Sequence, residues 1–221
     1  EHLANIVLTE CEEVRQQINV YLSKEWIVKH LFLRLVSAKE NEELLTDAVA
    51  VKFLDFAAVF YVLTEDCSEG VKSFQIPKNV WERLDLGSEE AYVTRAIENT
   101  RRLFPERLYE IEKTEEGCVL HEELPERSEV RKDRLYSQRL YVLTNHRKIN
   151  GAAVLLYPEL LKRLGERFGG DFYVIPSSVH EVLLLKENDR ENAEYLNRMV
   201  REVNSRQVAP EEILSNHVYR Y

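Results

Sequence analysis

Residues 56–76, FAAVFYVLTEDCSEGVKSFQI, contain the clearest secondary-structure pattern in the chain. Its first part, Ala57 to Leu63, is an unbroken apolar run rich in β-branched and aromatic residues. Such a run predicts a central strand that is buried on both faces. Residues 64–70 are polar and end in glycine, so we expect them to turn the chain. Residues 71–76 then return as a second strand, and the stretch as a whole predicts a β-hairpin.

Further elements surround this hairpin in the first half of the chain. Leu31, Leu33 and Leu35 alternate with other residues, which predicts a strand with one buried face. Residues 41–45 are compatible with a short helix. Ser88, followed by two glutamates, has the pattern of a helix N-terminus, and Pro105 marks its end. The apolar face of this long helix consists of Tyr92, Ala96, Ile97, Leu103 and Phe104.

The second half of the chain repeats this order of elements. The apolar, β-rich segments at 140–144, 172–175 and 179–185 predict three strands. Pro158 predicts the start of a helix that ends at a pair of glycines, and Asp189 is suited to cap another helix. Each half therefore follows the order strand, helix, strand, strand, helix. The predicted fold class is α+β, with two similar halves and mixed or antiparallel sheets on which the helices pack.

The remaining segments complete the domain organisation. Residues 1–24 carry apolar side chains at helical spacing and predict an N-terminal helix. Residues 25–111 and 138–221 form the two predicted α+β halves. Between them, residues 112–137 hold many charges and few large apolar groups, which predicts a linker or a mobile loop.

Composition argues against several classes of function. The formal net charge is −9, which disfavours nucleic-acid binding, and no apolar run approaches the roughly 18 residues of a membrane helix. The chain contains neither GxGxxG nor GxxxxGK[ST], so we predict no nucleotide cofactor. The three cysteines are widely spaced and lack a CxxC pair. This pattern indicates reduced thiols in the cytoplasm, without a disulfide framework or a zinc site.

One short segment holds the residue types of nucleophilic catalysis. Pro176-Ser-Ser-Val-His-Glu181 contains serine, histidine and a carboxylate. If residues 179–185 form a strand, His180 and Glu181 point to opposite faces, and Ser178 and His180 are the pair expected to lie close together. The alternative is that residues 176–178 form a hairpin turn, in which the hydroxyls of Ser177 and Ser178 bond to turn amides. We favour the turn, because most such clusters are structural.

Asparagines and histidines near the ends of the predicted strands give further candidates. Asn145, Asn150 and Gly151 bracket a strand-to-helix connection, where side-chain amides can hold a ligand. The same residue types are also common in turns and caps, and that interpretation is favoured. A metal site assembled from His146, His180, His217 and Glu181 has no paired spacing to support it, so no metal is predicted. The candidate site therefore consists of Asn145, Asn150, Ser177, Ser178, His180, Glu181 and His217.

The second half also carries a set of distinctive stretches. They are Leu140-Tyr-Val-Leu-Thr-Asn145, Lys148-Ile-Asn-Gly-Ala-Ala153, Phe172-Tyr-Val-Ile-Pro-Ser-Ser-Val-His-Glu-Val182, Met199-Val-Arg-Glu-Val-Asn204 and Leu214-Ser-Asn-His-Val-Tyr219. With these stretches the chain resembles a bacterial family, domain of unknown function 5688, over most of residues 29–221. The resemblance implies a bacterial cytoplasmic protein and brings no activity. It also implies a further N-terminal region, so we expect Glu1 to lie inside a longer protein.

Two hypotheses of function follow from these observations. The first is a non-enzymatic cytoplasmic binding or accessory protein that acts through a protein partner, since no catalytic motif or cofactor fingerprint is present. The alternative is a hydrolase-like enzyme that uses Ser178 and His180. A pocket that contains both residues would favour the hydrolase, whereas a tight turn at the surface would favour the binding protein.

Overall fold

The computed structural model describes residues 23–67, 70–115, 117–123, 140–176, 178–186 and 192–221. The elements of the first half, in chain order, are α1 (Lys24–His30), β1 (Leu31–Ser37), α2 (Glu42–Asp47), β2 (Ala50–Phe53), β3 (Phe56–Cys67), β4 (Gly70–Gln75), α3 (Lys78–Arg83) and α4 (Glu90–Leu103). Those of the second half are β5 (Glu106–Thr114), β6 (Gly117–Glu123), β7 (Leu140–Asn145), the 3₁₀ helix η1 (Gly151–Leu156), α5 (Leu160–Phe168), β8 (Phe172–Ile175), β9 (Val182–Lys186), α6 (Ala193–Gln207), the 3₁₀ helix η2 (Pro210–Glu212) and β10 (Tyr219–Arg220).

The first sheet is built around β3, as the apolar run predicts. β3 pairs with β1 on one edge and with β2 and β4 on the other, always antiparallel. Residues 56–60 of β3 are all buried, because both faces of this strand are covered. The hairpin of β3 and β4 is confirmed, with Tyr61 opposite Gln75.

Helix α4 is fixed to β1 by two buried polar side chains. Thr100 Oγ1 accepts a hydrogen bond of 2.9 Å from the Leu33 amide and donates to the Ala96 carbonyl. Asn99 Nδ2 donates to the carbonyls of Val28 and Leu31, at 3.0 and 2.9 Å. These bonds satisfy backbone groups at the junction of α1 and β1, which would otherwise be buried without partners.

The second sheet has the strand order β10-β8-β9-β7-β5-β6, and every adjacent pair is antiparallel. Side chains alternate between its two faces. One face carries Leu143, Phe172 and Leu184, which join Leu33 and Phe60 of the first sheet in a single hydrophobic cluster. The two halves of the chain therefore share one core. Helix α6 packs on the opposite face and buries Leu196 and Val200 there.

The α+β class with antiparallel sheets is confirmed, and three details of the sequence prediction are corrected. In the second half, the predicted order of strand, helix, strand, strand and helix is preceded by the strands β5 and β6, and the first half adds the short strand β2 and the helix α3. The linker predicted from residue 112 is wrong at its start, because residues 106–123 form the antiparallel hairpin of β5 and β6. The remainder of that linker, residues 124–137, lies outside the described residues.

The third correction concerns the N-terminal boundary. Residues 1–22 of the predicted N-terminal helix lie outside the described residues. Ser23 is the N-cap of α1, and its hydroxyl accepts from the Trp26 amide, so a division after residue 24 cuts through this helix. Within the described part of the chain, no helix is both long and apolar enough to cross a membrane.

Candidate functional site

The segment that contains Ser178, His180 and Glu181 is a tight turn that precedes β9. The Ser178 amide donates to the Glu181 carbonyl at 3.2 Å, and Ser178 Oγ accepts from the His180 amide at 3.0 Å. The second bond is the hydroxyl-to-amide contact that the turn interpretation expects. The predicted strand over 179–185 begins too early, because β9 starts at Val182. Ser177 lies outside the described residues.

Because the turn replaces the start of the predicted strand, the strand alternation that placed His180 and Glu181 on opposite faces does not apply. Ser178 Oγ lies 3.4 Å from Glu181 Oε1, so these two side chains share one side of the turn. The strand prediction failed because the valines at 179 and 182 continue an apolar pattern, while the local hydrogen bonds of serine bend the backbone.

The imidazole of His180 is held by two partners, neither of which is Ser178. Its Nδ1 accepts from the Asn150 amide at 3.2 Å, which leaves the proton on Nε2. Nε2 in turn lies 3.4 Å from Glu212 Oε1. Ser178 meets His180 through the backbone amide, so the geometry gives the hydroxyl no contact with the ring that would serve as its base. The hydrolase hypothesis stays a prediction.

Replacing Ser178 by alanine is expected to lower the free energy of unfolding by about 1 kcal/mol, the net value of a typical hydrogen bond. Urea denaturation measures this loss, and Ser205→Ala on the exposed side of α6 is the matched control. The same variant separates the two hypotheses of function. If the wild-type protein hydrolyses p-nitrophenyl acetate, and both Ser178→Ala and His180→Ala abolish that activity, the result would favour the hydrolase hypothesis over the binding-protein hypothesis.

The connection between β7 and η1 brings Asn145 and Asn150 next to this turn. Asn145 Nδ2 donates to the Ile149 carbonyl at 2.9 Å, and its Oδ1 accepts from the Arg147 amide at 2.9 Å. Asn150 has a left-handed backbone, with φ of 51°. Both asparagines thus have the structural roles of turn residues. Both also line a small cleft, whose other lining residues include Phe32 and Arg34 of β1 and Phe104.

Gly151 allows the connection to pack closely against the turn. A methyl group at this position would collide with Thr144 Oγ1 and with the His180 carbonyl oxygen. These two atoms are already joined by a hydrogen bond of 2.7 Å, in which Thr144 Oγ1 is the donor. The absence of a side chain at residue 151 therefore lets η1, the end of β7 and the turn meet.

His146 is nearby, but it is not among the residues that line the cleft. Its ring stacks on Phe104 with 6.3 Å between the ring centroids, and its buried Nδ1 has no hydrogen-bond partner among the described residues. Burial, together with the charge of Arg147, lowers the pKa of His146 from its usual 6.5. The ring is therefore neutral at pH 7. Arg147 itself forms an ion pair with Asp66.

His217 lies in a different polar cluster, formed at the turn between β2 and β3. His217 Nδ1 is 3.2 Å from Asp55 Oδ2, and the Ser215 hydroxyl donates to the same oxygen. The carboxylate lies between serine and histidine, whereas a catalytic triad places the histidine in the middle. Where the chain is described, no group of three or more histidine, cysteine or acidic residues is placed to hold a metal ion.

The fold brings four further residues, which local patterns do not single out, to the cleft and to the His217 cluster: Arg34, Thr100, Asp55 and Ser215. Arg34 had a weak signal, since it is a charged residue in a strand between two buried leucines. Asp55 and Ser215 are 160 positions apart in the chain, so no local pattern joins them.

Comparisons with known proteins give one match. The model of a family of unknown function, DUF5688, matches residues 1–221. The match thus extends beyond residues 29–221, the part over which the quoted sequence stretches resemble this family. Neither the search of curated proteins nor the search of solved structures gives a match.

Proposed function

The chain belongs to the family of unknown function DUF5688, and we propose that it is a non-enzymatic binding or accessory protein that acts through a protein partner. The observation that carries the proposal is an apolar surface on the second sheet, on the face that bears α6. The turn geometry of Ser178 supports the same choice, because the hydroxyl is engaged with the backbone.

The outer face of the second sheet is only partly covered by α6. Leu196 and Val200 of this helix pack on Tyr173, Ile175 and Leu185, which belong to β8 and β9. Further along the same face, the cross-strand pairs are Tyr109 with Val142 and Ile111 with Leu140. These four side chains are half-buried, and the neighbouring Leu120 of β6 is 47% exposed. Apolar side chains therefore continue across β7, β5 and β6, beyond the part that α6 covers.

Helix α6 adds an exposed apolar stripe to this face. Tyr195, Met199 and Val203 recur every fourth residue and are 56%, 39% and 38% exposed. Asn197 and Asn204, on the other flank of the helix, bond to Val218 and Ser215 next to β10. The exposed stripe is on the opposite flank, which faces β7. We call these three residues, together with Tyr109, Ile111, Leu120 and Val142, the apolar strip.

The size and charge of the apolar strip match an amphipathic helix with an acidic end. Three strands span about 14 Å, slightly more than the 10–12 Å diameter of a helix, and the stripe on α6 is about 12 Å long. A helix in this position would lie beside α6 and complete the layer on the sheet. Lys148 Nζ lies 4.8 Å from the centre of the Tyr109 ring, and Glu122, the cross-strand neighbour of Tyr109, is paired with Arg107. This end of the strip therefore has a net positive charge. A partner helix with acidic residues at that end is therefore favoured.

We further propose that the protein functions in the bacterial cytoplasm and does not bind nucleic acid. Its support is the presence of free thiols at Cys67 and Cys118, which suit a reducing compartment, and the net charge of −9.

The test is photo-crosslinking in living cells of the organism that produces the protein. A benzophenone amino acid replaces Met199, and the matched control carries it at Leu54, which is 75% exposed at the turn between β2 and β3. We expect an adduct with one other protein from position 199 and none from position 54. The crosslinked protein, once purified, must then bind the chain described here. Its crosslinked peptide must lie in an amphipathic helix. An adduct with a second copy or with residues 1–22 would overturn the proposal, as would no adduct.

A further inference from the structure

Strand β6 forms one edge of the second sheet. The strand at the opposite edge, β10, is only two residues long, whereas β6 pairs with β5 over seven consecutive residues. In the described part of the chain, no strand lies on the outer side of β6. Backbone groups of an antiparallel strand point alternately to either side, so every second residue of β6 presents its N–H and C=O at this edge. The edge is therefore a template on which a further strand can pair.

β6 lacks the features that usually protect an edge strand from such pairing. Its sequence, GCVLHEE, contains neither proline nor lysine, and its register with β5 has no bulge. Val119 and Leu120 point to opposite faces of the sheet and are 43% and 47% exposed. A neighbouring strand would cover part of both side chains while it pairs with the backbone. Pairing at this edge thus buries apolar surface in addition to satisfying N–H and C=O groups.

The distribution of charge along β6 favours a second copy of the same strand in antiparallel orientation. Glu122 and Glu123 are both at the C-terminal end, whereas Gly117 and Cys118 at the N-terminal end carry no formal charge. If Leu120 faces Leu120 of a second copy across a two-fold axis, all seven residues of each strand are paired. Each glutamate then lies opposite glycine or cysteine, and the glutamates of the two copies stay apart. A parallel pair would place like charges side by side, which is destabilising.

We propose that the chain forms a homodimer through β6, in which the two six-stranded sheets become one continuous sheet. Opposite residues of an antiparallel pair point to the same face, so Leu120 of both copies lies on the face that bears α6. The apolar strips of the two copies therefore adjoin on one side of the dimer. The proposal does not rest on the partner of the strip. Met199 is on α6, which packs on β8 and β9, and β7 and β5 separate β9 from β6. Crosslinking at position 199 and dimerisation are thus independent observations.

The test is sedimentation equilibrium of the purified full chain between about 1 µM and about 500 µM. A reductant keeps the exposed Cys118 from forming a disulfide. Because two seven-residue strands cover less than the roughly 1,200 Å² of a standard interface, we expect a weak dimer with a Kd of about 10–100 µM. The average mass should therefore rise from that of one chain toward that of two.

One variant and its control test the predicted register. Leu120→Lys places two ammonium groups opposite each other at the two-fold axis, so it should raise the Kd of the dimer at least about ten-fold. Leu54→Lys adds the same charge at a turn where the side chain is 75% exposed, and it should dimerise as wild type does.

Hydrogen exchange of the wild-type protein locates the contact without any variant. Amides within residues 117–123 should be better protected at high than at low protein concentration. Equal protection at every concentration would mean that another part of the same chain covers the edge, and the proposal would be wrong. A monomer over the whole concentration range, or a dimer that Leu120→Lys leaves unchanged, would also overturn it.

Discussion

Replacing Gly151 by alanine is expected to lower the free energy of unfolding by about 3 kcal/mol, at the upper end of the range for overpacked sites. The added methyl group would collide with Thr144 Oγ1 and with the His180 carbonyl oxygen, and it would lie 2.9 Å from the Asn145 nitrogen. Two of these three atoms belong to the backbone, and the third is held in a hydrogen bond to the His180 carbonyl. The site therefore cannot relax by a rotation of one flexible side chain.

Gly165→Ala is the matched control, because it adds the same methyl group inside α5. The nearest atom there is Tyr221 Cε1 at 3.4 Å, which is an ordinary contact. Alanine also favours the helix over glycine by up to about 1 kcal/mol. Urea denaturation should therefore show a large loss of stability for Gly151→Ala and none for Gly165→Ala. If the two variants were equally stable, η1 would not pack as closely on the turn as the structure shows.

Replacing Phe60 by alanine is expected to cost about 4 kcal/mol, in the range for a buried phenylalanine. Phe60 is fully buried, and its ring centre lies 5.2 Å from that of Trp81. It belongs to the same hydrophobic cluster as Leu143 and Leu184 of the second sheet. The loss should therefore reach both sheets, although Phe60 lies in the first.

Hydrogen exchange measures this coupling. Because the halves share a core, amides of β8 and β9 should exchange faster in Phe60→Ala by the factor that the global loss of stability predicts. Leu54→Ala, at an exposed turn, is the control and should change nothing measurable. Faster exchange confined to the first sheet would mean that the two halves unfold separately, contrary to the shared core.

The elements that could be predicted from the sequence are those with a strong local pattern. The run from Ala57 to Leu63 and the alternation of Leu31, Leu33 and Leu35 both predicted strands, and the structure has strands there. The hairpin of β5 and β6 was missed because its strands carry many charges. It lies at an edge of the second sheet, where one side of β6 has no neighbouring strand among the described residues, so polar side chains can face water.

The candidate site was predictable only in its local parts. Ser178, His180 and Glu181 are close in sequence, and the turn chemistry of serine explains their contacts. Their partners Asn150 and Glu212 are 30 and 32 residues from His180, and the topology brings them together. Arg34 is a single charge in a strand, so its position in a cleft follows from the packing of α4 and the β7–η1 connection on the first sheet.

The most direct test of partner binding at the apolar strip compares two affinities. The partner identified by crosslinking is purified, and its Kd is measured for the wild-type protein and for Met199→Glu. A carboxylate at this exposed position leaves the free protein stable, but the partner helix would bury it without a counterion. We expect a rise in Kd of about 30-fold or more, the effect of losing about 2 kcal/mol at an interface centre. Leu54→Glu, the matched control, should bind as wild type does. If Met199→Glu bound the partner with wild-type affinity, the partner would not bind at the apolar strip.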